Sequence, residues 1–164
     1  MRLLLARHGE AVRKDIHPDQ PLSDLGHKDV TRLASFLAGN DVRVSRVLHS
    51  GKHRAQETAL IHATILGPGP VVEESPYPIS PGSPTNPLFN ALRYEIKNDV
   101  MIVGHLPYMD KLLSRLITGT ESETCVRYNP GTIVALERKT EVSMWEIIWA
   151  MSPALIIEQT EDQS

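Results

Sequence analysis

Two histidines and two arginines in this chain stand where chemistry on a phosphoryl group could be carried out. Arg7 and His8 end one short apolar run, and His105 ends another. Arg54 opens a predicted helix. A guanidinium offers phosphate oxygens a bidentate fork, and the N-termini of helices add free amides and partial positive charge. These residue types together predict a pocket for a dianionic phosphoryl group.

Histidine also supplies a nucleophile for such a pocket. A neutral ring nitrogen can form a covalent phosphoryl intermediate. A second histidine, when protonated, can stabilise the equatorial oxygens of the group in transfer, since positioning and charge neutralisation are the main catalytic effects in this reaction. An isolated histidine is more often a structural residue. The hypothesis therefore requires that His8 and His105 lie close together.

Three strand patterns are expected to bring these residues to one place. The runs at 2–6, 42–48 and 99–103 are apolar or alternate apolar with polar residues, which favours buried strands. In a parallel sheet the carboxyl ends of the strands share one edge, and ligands of open α/β sheets bind there. The residues expected at that edge are Arg7, His8, Ser50, Arg54 and His105.

Strand and helix patterns alternate through the first 118 residues, which predicts a three-layer α/β/α sandwich with a mostly parallel central sheet. Strands over 132–136 and 143–150 are expected to form an antiparallel hairpin after it. Five prolines interrupt 75–87, so this segment is predicted to be either a plain surface connector or a lid over the site. We expect one domain over 1–157, followed by a polar tail at 158–164.

The composition of the 164 residues restricts the possible functions. A formal net charge of −3 gives no general reason to expect nucleic-acid or membrane binding. Cys125 is the single cysteine, which excludes an intramolecular disulfide and a cysteine-rich zinc site. Neither a signal peptide nor a run of about 20 apolar residues is recognisable, so a cytoplasmic protein is expected.

Three segments together resemble the signature motifs of the histidine phosphatase superfamily. In order and spacing they are similar to those of its short members, the bacterial SixA-type phosphohistidine phosphatases. The likeness extends from residue 2 to about residue 153. The segments are Arg7-His8-Gly9, Ser50 with Arg54-Ala55-Gln56-Glu57-Thr58-Ala59, and Val103-Gly104-His105-Leu106-Pro107.

This resemblance implies a phosphoglycerate-mutase-like fold and a role for each matching residue. His8 would be the nucleophile that becomes phosphorylated, and Arg7, Arg54 and His105 would hold the phosphoryl oxygens. Ser50 would join them in binding the substrate. The family requires neither a metal nor another cofactor, so none is expected.

Two departures from the family pattern lie near the expected site. The segment 21–26 resembles the family's Pro-Leu-Thr-x-x-Gly, where the preceding residue is commonly a phosphate-binding arginine. That residue is Gln20 here, so Gln20 enters the predicted substrate-binding set, and Arg13 or Lys14 could supply the missing charge. Ser50 is followed by Gly51, where proline is usual.

The general acid is not identified by the sequence. In mutase-like members a segment after the third strand carries a catalytic glutamate; Glu73 and Glu74 lie near it, but the surrounding residues do not match. A phosphohistidine substrate loses an imidazole, which leaves readily once protonated, whereas an ester loses an alkoxide and needs a proton from a side chain. A site without an acid would therefore favour phosphohistidine.

Three functions remain open at this point. The first is dephosphorylation of phosphohistidine on a partner protein, such as a histidine phosphotransfer domain. The second is a phosphomonoesterase that acts on a small phosphorylated substrate. The third is a non-catalytic module that binds phosphate or a protein; the presence of both His8 and His105 argues against it, and Gln20 leaves it open.

Overall fold

The computed structural model describes residues 1–156, so the predicted tail at 158–164 lies outside the described residues. Within residues 1–156, no helix combines the length and the hydropathy that a membrane span requires.

A mixed sheet of six strands forms the centre of the described chain. The order across the sheet is β3-β2-β4-β1-β5-β6, with the first four strands parallel and the last two pairing antiparallel. The predicted mostly parallel sheet and its C-terminal hairpin are therefore confirmed. The strands are β1 (Arg2–Arg7), β2 (Arg46–His49), β3 (Val71–Glu74), β4 (Val100–Gly104), β5 (Ile133–Glu137) and β6 (Glu146–Met151).

Helices cover both faces of this sheet, because the side chains of its central strands are apolar in both directions. Leu4, Ala6 and Met101 belong to the core beneath α1 and α2, and Leu3 and Ile102 belong to the core beneath α3 and α4. This three-layer arrangement is the predicted α/β/α sandwich. The helices are α1 (Asp24–Gly39), α2 (His53–Leu66), α3 (Asn86–Tyr94) and α4 (Tyr108–Thr118), with a 3₁₀ turn at Pro153–Leu155.

The second strand is shorter than its alternating pattern predicts. Val42 and Val44 are buried, but pairing with β4 and β3 starts at Arg46. The Val42 amide donates to the carbonyl oxygen of Leu37 at 3.0 Å, so Val42 closes the end of α1 and does not join the sheet. The alternation of apolar and polar residues correctly indicated that Val42 and Val44 are buried. A buried residue does not need to pair with a neighbouring strand.

The spacing of Leu88, Leu92 and Ile96 by four predicts a helix over 88–96, and the third helix begins and ends slightly earlier. It starts at Asn86, and Pro87 lies in its first turn, where the missing amide of proline costs no hydrogen bond. The proline-rich segment before it is irregular, as predicted. Ile79 from this segment is only 2% exposed and packs into the core beside α3 and α4.

The parallel register places the carboxyl ends of three strands at one edge. Arg7 of β1 lies opposite Gly104 of β4, and His49 of β2 lies opposite Val103. The chain leaves each of these strands directly into the residues that the sequence analysis selected. His8, Ser50 and His105 are the first residues after β1, β2 and β4, so they lie at the same edge of the sheet.

Candidate active site

Four of the predicted site residues meet at this edge. The ring centroids of His8 and His105 lie 4.9 Å apart, with their planes inclined at 52°. Arg54 Nε donates to His8 Nε2 at 3.3 Å. Ser50 Oγ lies 2.5 Å from His105 Nε2. Side chains separated by up to about 100 residues in the sequence are thus grouped around two imidazole rings.

The turn after β1 orients the ring of His8. Its Nδ1 lies 2.7 Å from the carbonyl oxygen of Gly9, which can only accept a hydrogen bond. A neutral imidazole carries one proton, so this contact places the proton on Nδ1 and leaves the lone pair on Nε2. Burial, with smaller contributions from Arg54 and Arg7, lowers the pKa of His8 from 6.5 to about 4 despite the Gly9 bond. His8 is therefore neutral at pH 7.

His105 is also neutral in the absence of a ligand, which differs from the expectation of a protonated second histidine. Burial, with smaller contributions from His8, Arg54, Lys52 and Arg7, lowers the pKa of His105 from 6.5 to about 3. Its Nδ1 is buried without a hydrogen-bond partner among residues 1–156. The sequence could not show this, because the effect comes from burial and from charged groups that the fold brings together.

The two arginines have no carboxylate partner among residues 1–156. Arg7 Nη1 donates to the carbonyl oxygen of Tyr128 at 2.7 Å, and its Nε is buried without a partner in the described chain. Partial burial lowers the pKa of both guanidiniums, which remain charged at neutral pH. Two partly desolvated cations without a neighbouring anion create an anion-binding environment beside His8.

Thr58 is a positioning residue to which the sequence analysis assigned no role. The amide of Gly9 donates to Thr58 Oγ1 at 3.0 Å, and that hydroxyl donates to the carbonyl oxygen of Arg54 at 2.8 Å. Thr58 thereby ties the turn that carries His8 to the first turn of α2. The available signal was its spacing, since a residue four positions after Arg54 lies on the same helix face.

Glu57 holds the loop that connects β1 to α1. Its Oε2 accepts a hydrogen bond from the amide of Leu22 at 2.6 Å. Its Oε1 lies 3.7 Å from Nε2 of both His27 and His53. The amide of Ser23 donates to the carbonyl oxygen of Glu10 at 2.9 Å, so both ends of the loop are fastened.

Gln20 lies in this loop, and no described hydrogen bond joins its side chain to the four residues above. Its backbone has a φ of 46°, in the left-handed region that few residues other than glycine adopt. Arg13, one of the two proposed substitutes for an arginine at position 20, forms an exposed ion pair with Asp15. Neither the Arg13 side chain nor that of Lys14 forms a described hydrogen bond with the four residues above.

Gly51 explains why the usual proline is absent after Ser50. Its φ of 83° is closed to proline, whose ring holds φ near about −65°. A side chain here would also begin 2.5 Å from Glu74 Oε1. The backbone of this turn therefore differs from that of a turn with proline at position 51. The left-handed conformation of Gly51 accompanies the contact between Ser50 and His105.

The two candidate acids have different surroundings. Glu73 pairs with Arg46 on the neighbouring strand. Glu74 is exposed and lies against Gly51, beside the edge that carries Ser50. Neither forms a described hydrogen bond with His8 or His105. Among residues 1–156, no group of three or more histidine, cysteine, aspartate or glutamate side chains is arranged to hold a metal ion.

Comparison with known proteins identifies relatives of this arrangement. The family model of the histidine phosphatase superfamily (branch 1) matches residues 3–75, which include Arg7, His8 and Arg54. A sequence comparison with curated proteins finds no match.

Solved structures share the fold across nearly the whole chain. The protein histidine phosphatase SixA, in complex with tungstate, is 25% identical with a TM-score of 0.81; the match covers 94% of this chain and 98% of that one. The alpha-ribazole phosphatase from Shigella flexneri is 21% identical with a TM-score of 0.69, and the match covers 90% and 95%. A phosphoserine phosphatase mutant from Entamoeba histolytica is 14% identical with a TM-score of 0.68, and the match covers 93% and 97%.

The family match contains the Arg7-His8-Gly9 turn, and the mixed six-stranded sheet is shared with phosphoglycerate-mutase-like histidine phosphatases. The resemblance that the motifs suggested is therefore confirmed: residues 3–75 match the model of the histidine phosphatase superfamily (branch 1), and the fold of nearly the whole chain is shared with SixA.

Proposed function

We propose that this protein is a metal-independent phosphatase that works through a covalent phosphohistidine on His8, and that its substrate is phosphohistidine on a partner protein. One observation carries the proposal. The unprotonated Nε2 of a neutral His8 accepts a hydrogen bond from Arg54 and lies near Arg7, and no described carboxylate neutralises these two cations. This is the arrangement that a phosphoryl acceptor requires.

The reaction proceeds in two displacements. His8 Nε2 attacks phosphorus, a bond between Nε2 and phosphorus forms, and the bond from phosphorus to the leaving imidazole nitrogen breaks. The leaving nitrogen keeps that electron pair, and because the other ring nitrogen of the substrate has first been protonated from water, a neutral imidazole leaves. Water then attacks phosphorus, the bond to Nε2 breaks, and inorganic phosphate is released with His8 restored. Arg7, Arg54 and His105 would hold the phosphoryl oxygens through both steps, with Ser50 holding His105.

The surroundings of the rings support a substrate whose leaving group is an imidazole. No carboxylate in residues 1–156 forms a described hydrogen bond with His8, Arg54 or His105. A leaving alkoxide needs a proton donor within hydrogen-bond reach, and an imidazole protonated from water does not. The likeness to a protein whose name is histidine phosphatase SixA supports the same substrate class.

A partner protein, such as a histidine phosphotransfer domain, fits the exposed position of the site. Five concavities of about 300 to 550 Å³ on the described chain are lined by other residues. His8 and Arg54 are only partly buried. A site of this kind can receive a phosphohistidine that projects from a protein surface.

Glu74 favours one second candidate, a phosphomonoesterase that acts on a small phosphorylated substrate. Its exposed carboxyl lies against Gly51, next to Ser50, and could approach a leaving oxygen after a rotamer change. The shared fold of the ribazole and phosphoserine phosphatases is compatible with this reading. Glu74→Gln separates the two candidates, because it should reduce turnover of esters alone.

The test is a substrate panel measured in chelator. It contains a phosphohistidine peptide, a phosphorylated histidine phosphotransfer domain, a sugar phosphate and phosphoglycerate. We expect turnover of the first two and little of the others, with a loss of at least about a thousandfold in His8→Ala because the nucleophile is gone. His17→Ala is the matched control, because His17 is exposed and contacts only a backbone amide nearby.

The covalent step has a separate readout. After an acid-free quench, labelled phosphate from the substrate should be found on His8, and the label should be lost in acid. Turnover without label, or wild-type turnover by His8→Ala, would refute the mechanism. Turnover of the esters with none of phosphohistidine would replace the first candidate with the second.

A further inference from the structure

A second cavity lies at the opposite edge of the sheet from His8. It has a volume of about 300 Å³ and is bounded by α3, α4 and the turn between β5 and β6. Glu137, the last residue of β5, pairs with Arg2 at the start of β1. The turn that follows Glu137 is therefore at the amino-terminal edge of the parallel strands. The proposed phosphatase reaction makes no use of this cavity.

The cavity has apolar walls that are unusually open to solvent. Val142 is 85% exposed and Met144 is 53% exposed, although both lie in a short turn beside the core. Exposed apolar side chains grouped around a concave surface mark a binding site more often than scattered ones do. The apolar lining residues are Phe89, Leu116, Val142, Met144 and Trp145.

Arg138 supplies a buried positive charge to this cavity. Arg138 is only 8% exposed, and its guanidinium lies 4.9 Å from the ring centroid of Trp145. Its one described hydrogen bond is a 4.0 Å contact with the sulfur of Met1. No carboxylate in residues 1–156 lies within 4.0 Å of it; Glu141 interacts with it at longer range but already pairs with Lys97, and a buried charge is costly unless an anion accompanies it closely.

Two further arginines reinforce the positive charge. The guanidinium of Arg115 lies 4.6 Å from the ring centroid of Phe89 and forms an ion pair with Glu121 at 3.3 Å. Arg93 at the rim has no described ion pair. Glu141 is the one acidic lining residue, and Lys97 holds it at 2.6 Å. The cavity therefore keeps a surplus of positive charge among the residues that line it.

We propose that this cavity binds a small organic anion that has a flat apolar body and one carboxylate or phosphate group. The anionic group pairs with Arg138, and Arg93 and Arg115 add attraction from the rim. The apolar body lies against Phe89, Met144 and Trp145. A volume of about 300 Å³ is at the lower end for small-molecule sites and fits one or two fused rings.

The experiment uses 2-naphthoate as the probe and 2-naphthalenemethanol as its neutral counterpart. Calorimetry and the fluorescence of Trp145 report binding to the full-length protein. We expect saturable binding of one naphthoate per chain, with affinity at least about tenfold higher than that of the alcohol, because a charge-assisted hydrogen bond to Arg138 is formed only with the acid.

Variants locate the binding to this cavity. Arg138→Gln should lower the affinity for naphthoate at least about tenfold. Arg93→Gln, which changes only an exposed rim residue, should lower that affinity about threefold. Arg43→Gln is the matched control, because Arg43 is an exposed arginine that pairs with Asp41 and does not line this cavity. Arg54→Gln removes a cation from the edge that carries His8, and should leave naphthoate affinity unchanged.

Several results would overturn the proposal. Equal affinity for the acid and the alcohol would mean that only the apolar walls bind. If Arg43→Gln lost as much naphthoate affinity as Arg138→Gln, or if Arg54→Gln lost affinity, the probe would bind at another site. If Arg138→Gln does not fold, unchanged affinity in Arg93→Gln is sufficient to reject the site. Absence of saturable binding would reject it as well.

Discussion

At the scale of single residues, the two imidazole rings of the site share one electrostatic environment. Burial and the same cations depress the pKa values of His8 and His105 to about 4 and about 3. This suits the proposed role of His8, because a nucleophile must be unprotonated. We expect His105 to become a cation only when an anion arrives, so that a bound phosphate would create part of the charge that holds it.

This coupling predicts proton uptake on binding of an oxyanion. A unit negative charge about 4 Å from His105 stabilises its protonated form by about 4 kcal/mol at an effective dielectric constant of about 20, or about three pKa units. Tungstate, a dianion, should therefore bind at pH 7 with uptake of about one proton. Calorimetry in buffers of different ionisation enthalpy measures this number.

The matched variant is His105→Gln, which keeps a hydrogen-bonding side chain but cannot be protonated. Its uptake should fall to less than half of the wild-type value. Equal uptake in the two proteins would contradict the assignment of the proton to His105. His17→Ala should take up as many protons as the wild type, since the side chain of His17 is exposed and contacts only the amide of Asp19.

At the scale of elements, the loop between β1 and α1 depends on one carboxylate of α2. Glu57 accepts the amide of Leu22 at 2.6 Å. Glu57→Ala leaves that partly buried amide without its partner, which should cost about 1–2 kcal/mol and accelerate its hydrogen exchange about tenfold or more. Exchange measured at Leu22 by NMR tests this expectation.

Gln56→Ala is the control for that loop, because Gln56 is the exposed neighbour of Glu57 on the same helix. It should leave exchange at Leu22 unchanged. If Glu57→Ala slows turnover while Leu22 remains protected, Glu57 acts on the substrate and does not act through the loop.

The turn between β2 and α2 gives a second prediction at this scale. Gly51→Ala forces an alanine to a φ of 83° and brings its Cβ against Glu74, so it should lower the free energy of unfolding by about 1–2 kcal/mol. Because Ser50 adjoins this turn, turnover should fall as well. Urea unfolding and a phosphatase assay measure the two effects.

Gly39→Ala is its matched control. Gly39 is the last residue of α1, its φ is not positive, and a Cβ there meets nothing within 4 Å. Alanine should therefore leave stability unchanged or raise it by about 0.5–1 kcal/mol. Similar losses in both variants would show that the backbone of Gly51 is not strained by a side chain.

At the scale of the whole molecule, stability should decrease in acid because of a buried histidine in α2. His62 is fully buried, and neither ring nitrogen has a hydrogen-bond partner among residues 1–156. Burial lowers the pKa of His62 to about 4. The unfolded chain therefore takes up this proton first as pH falls below 6.5, and the stability present above pH 6.5 is lost between pH 6.5 and pH 4.

His62→Leu removes this contribution and should flatten the acid limb of the stability curve. Relative to its own value at pH 7, the variant should lose about 2 kcal/mol less than the wild type at pH 5. Urea unfolding at the two pH values gives the difference. Parallel curves would show that His62 does not titrate with folding, and the acid loss would then belong to His8 and His105, whose pKa values are also lowered.

The sequence by itself determined the layers of the fold and the grouping of His8, Ser50, Arg54 and His105, but it also added Gln20, whose side chain forms no described hydrogen bond with these four. The apolar runs of β1 and β4, the helix cap at Ser23 and the stop at Gly119 are local features that a short window reports. Strand polarity then required Arg7, His8 and His105 to share an edge. The extent of β2 was misread, because alternation records which side chains are buried and does not record hydrogen-bonded pairing.

Only the tertiary structure decided the charge states and the unused cavity. The neutral state of His105 depends on burial and on charged groups from two separate segments, 7–8 and 52–54, and the anchor of Arg7 is a backbone carbonyl 121 residues away. The unpaired burial of Arg138 over Trp145 depends on how the hairpin packs against α3 and α4. Desolvation and Coulomb interactions depend on distances in space, and no spacing along the chain contains those distances.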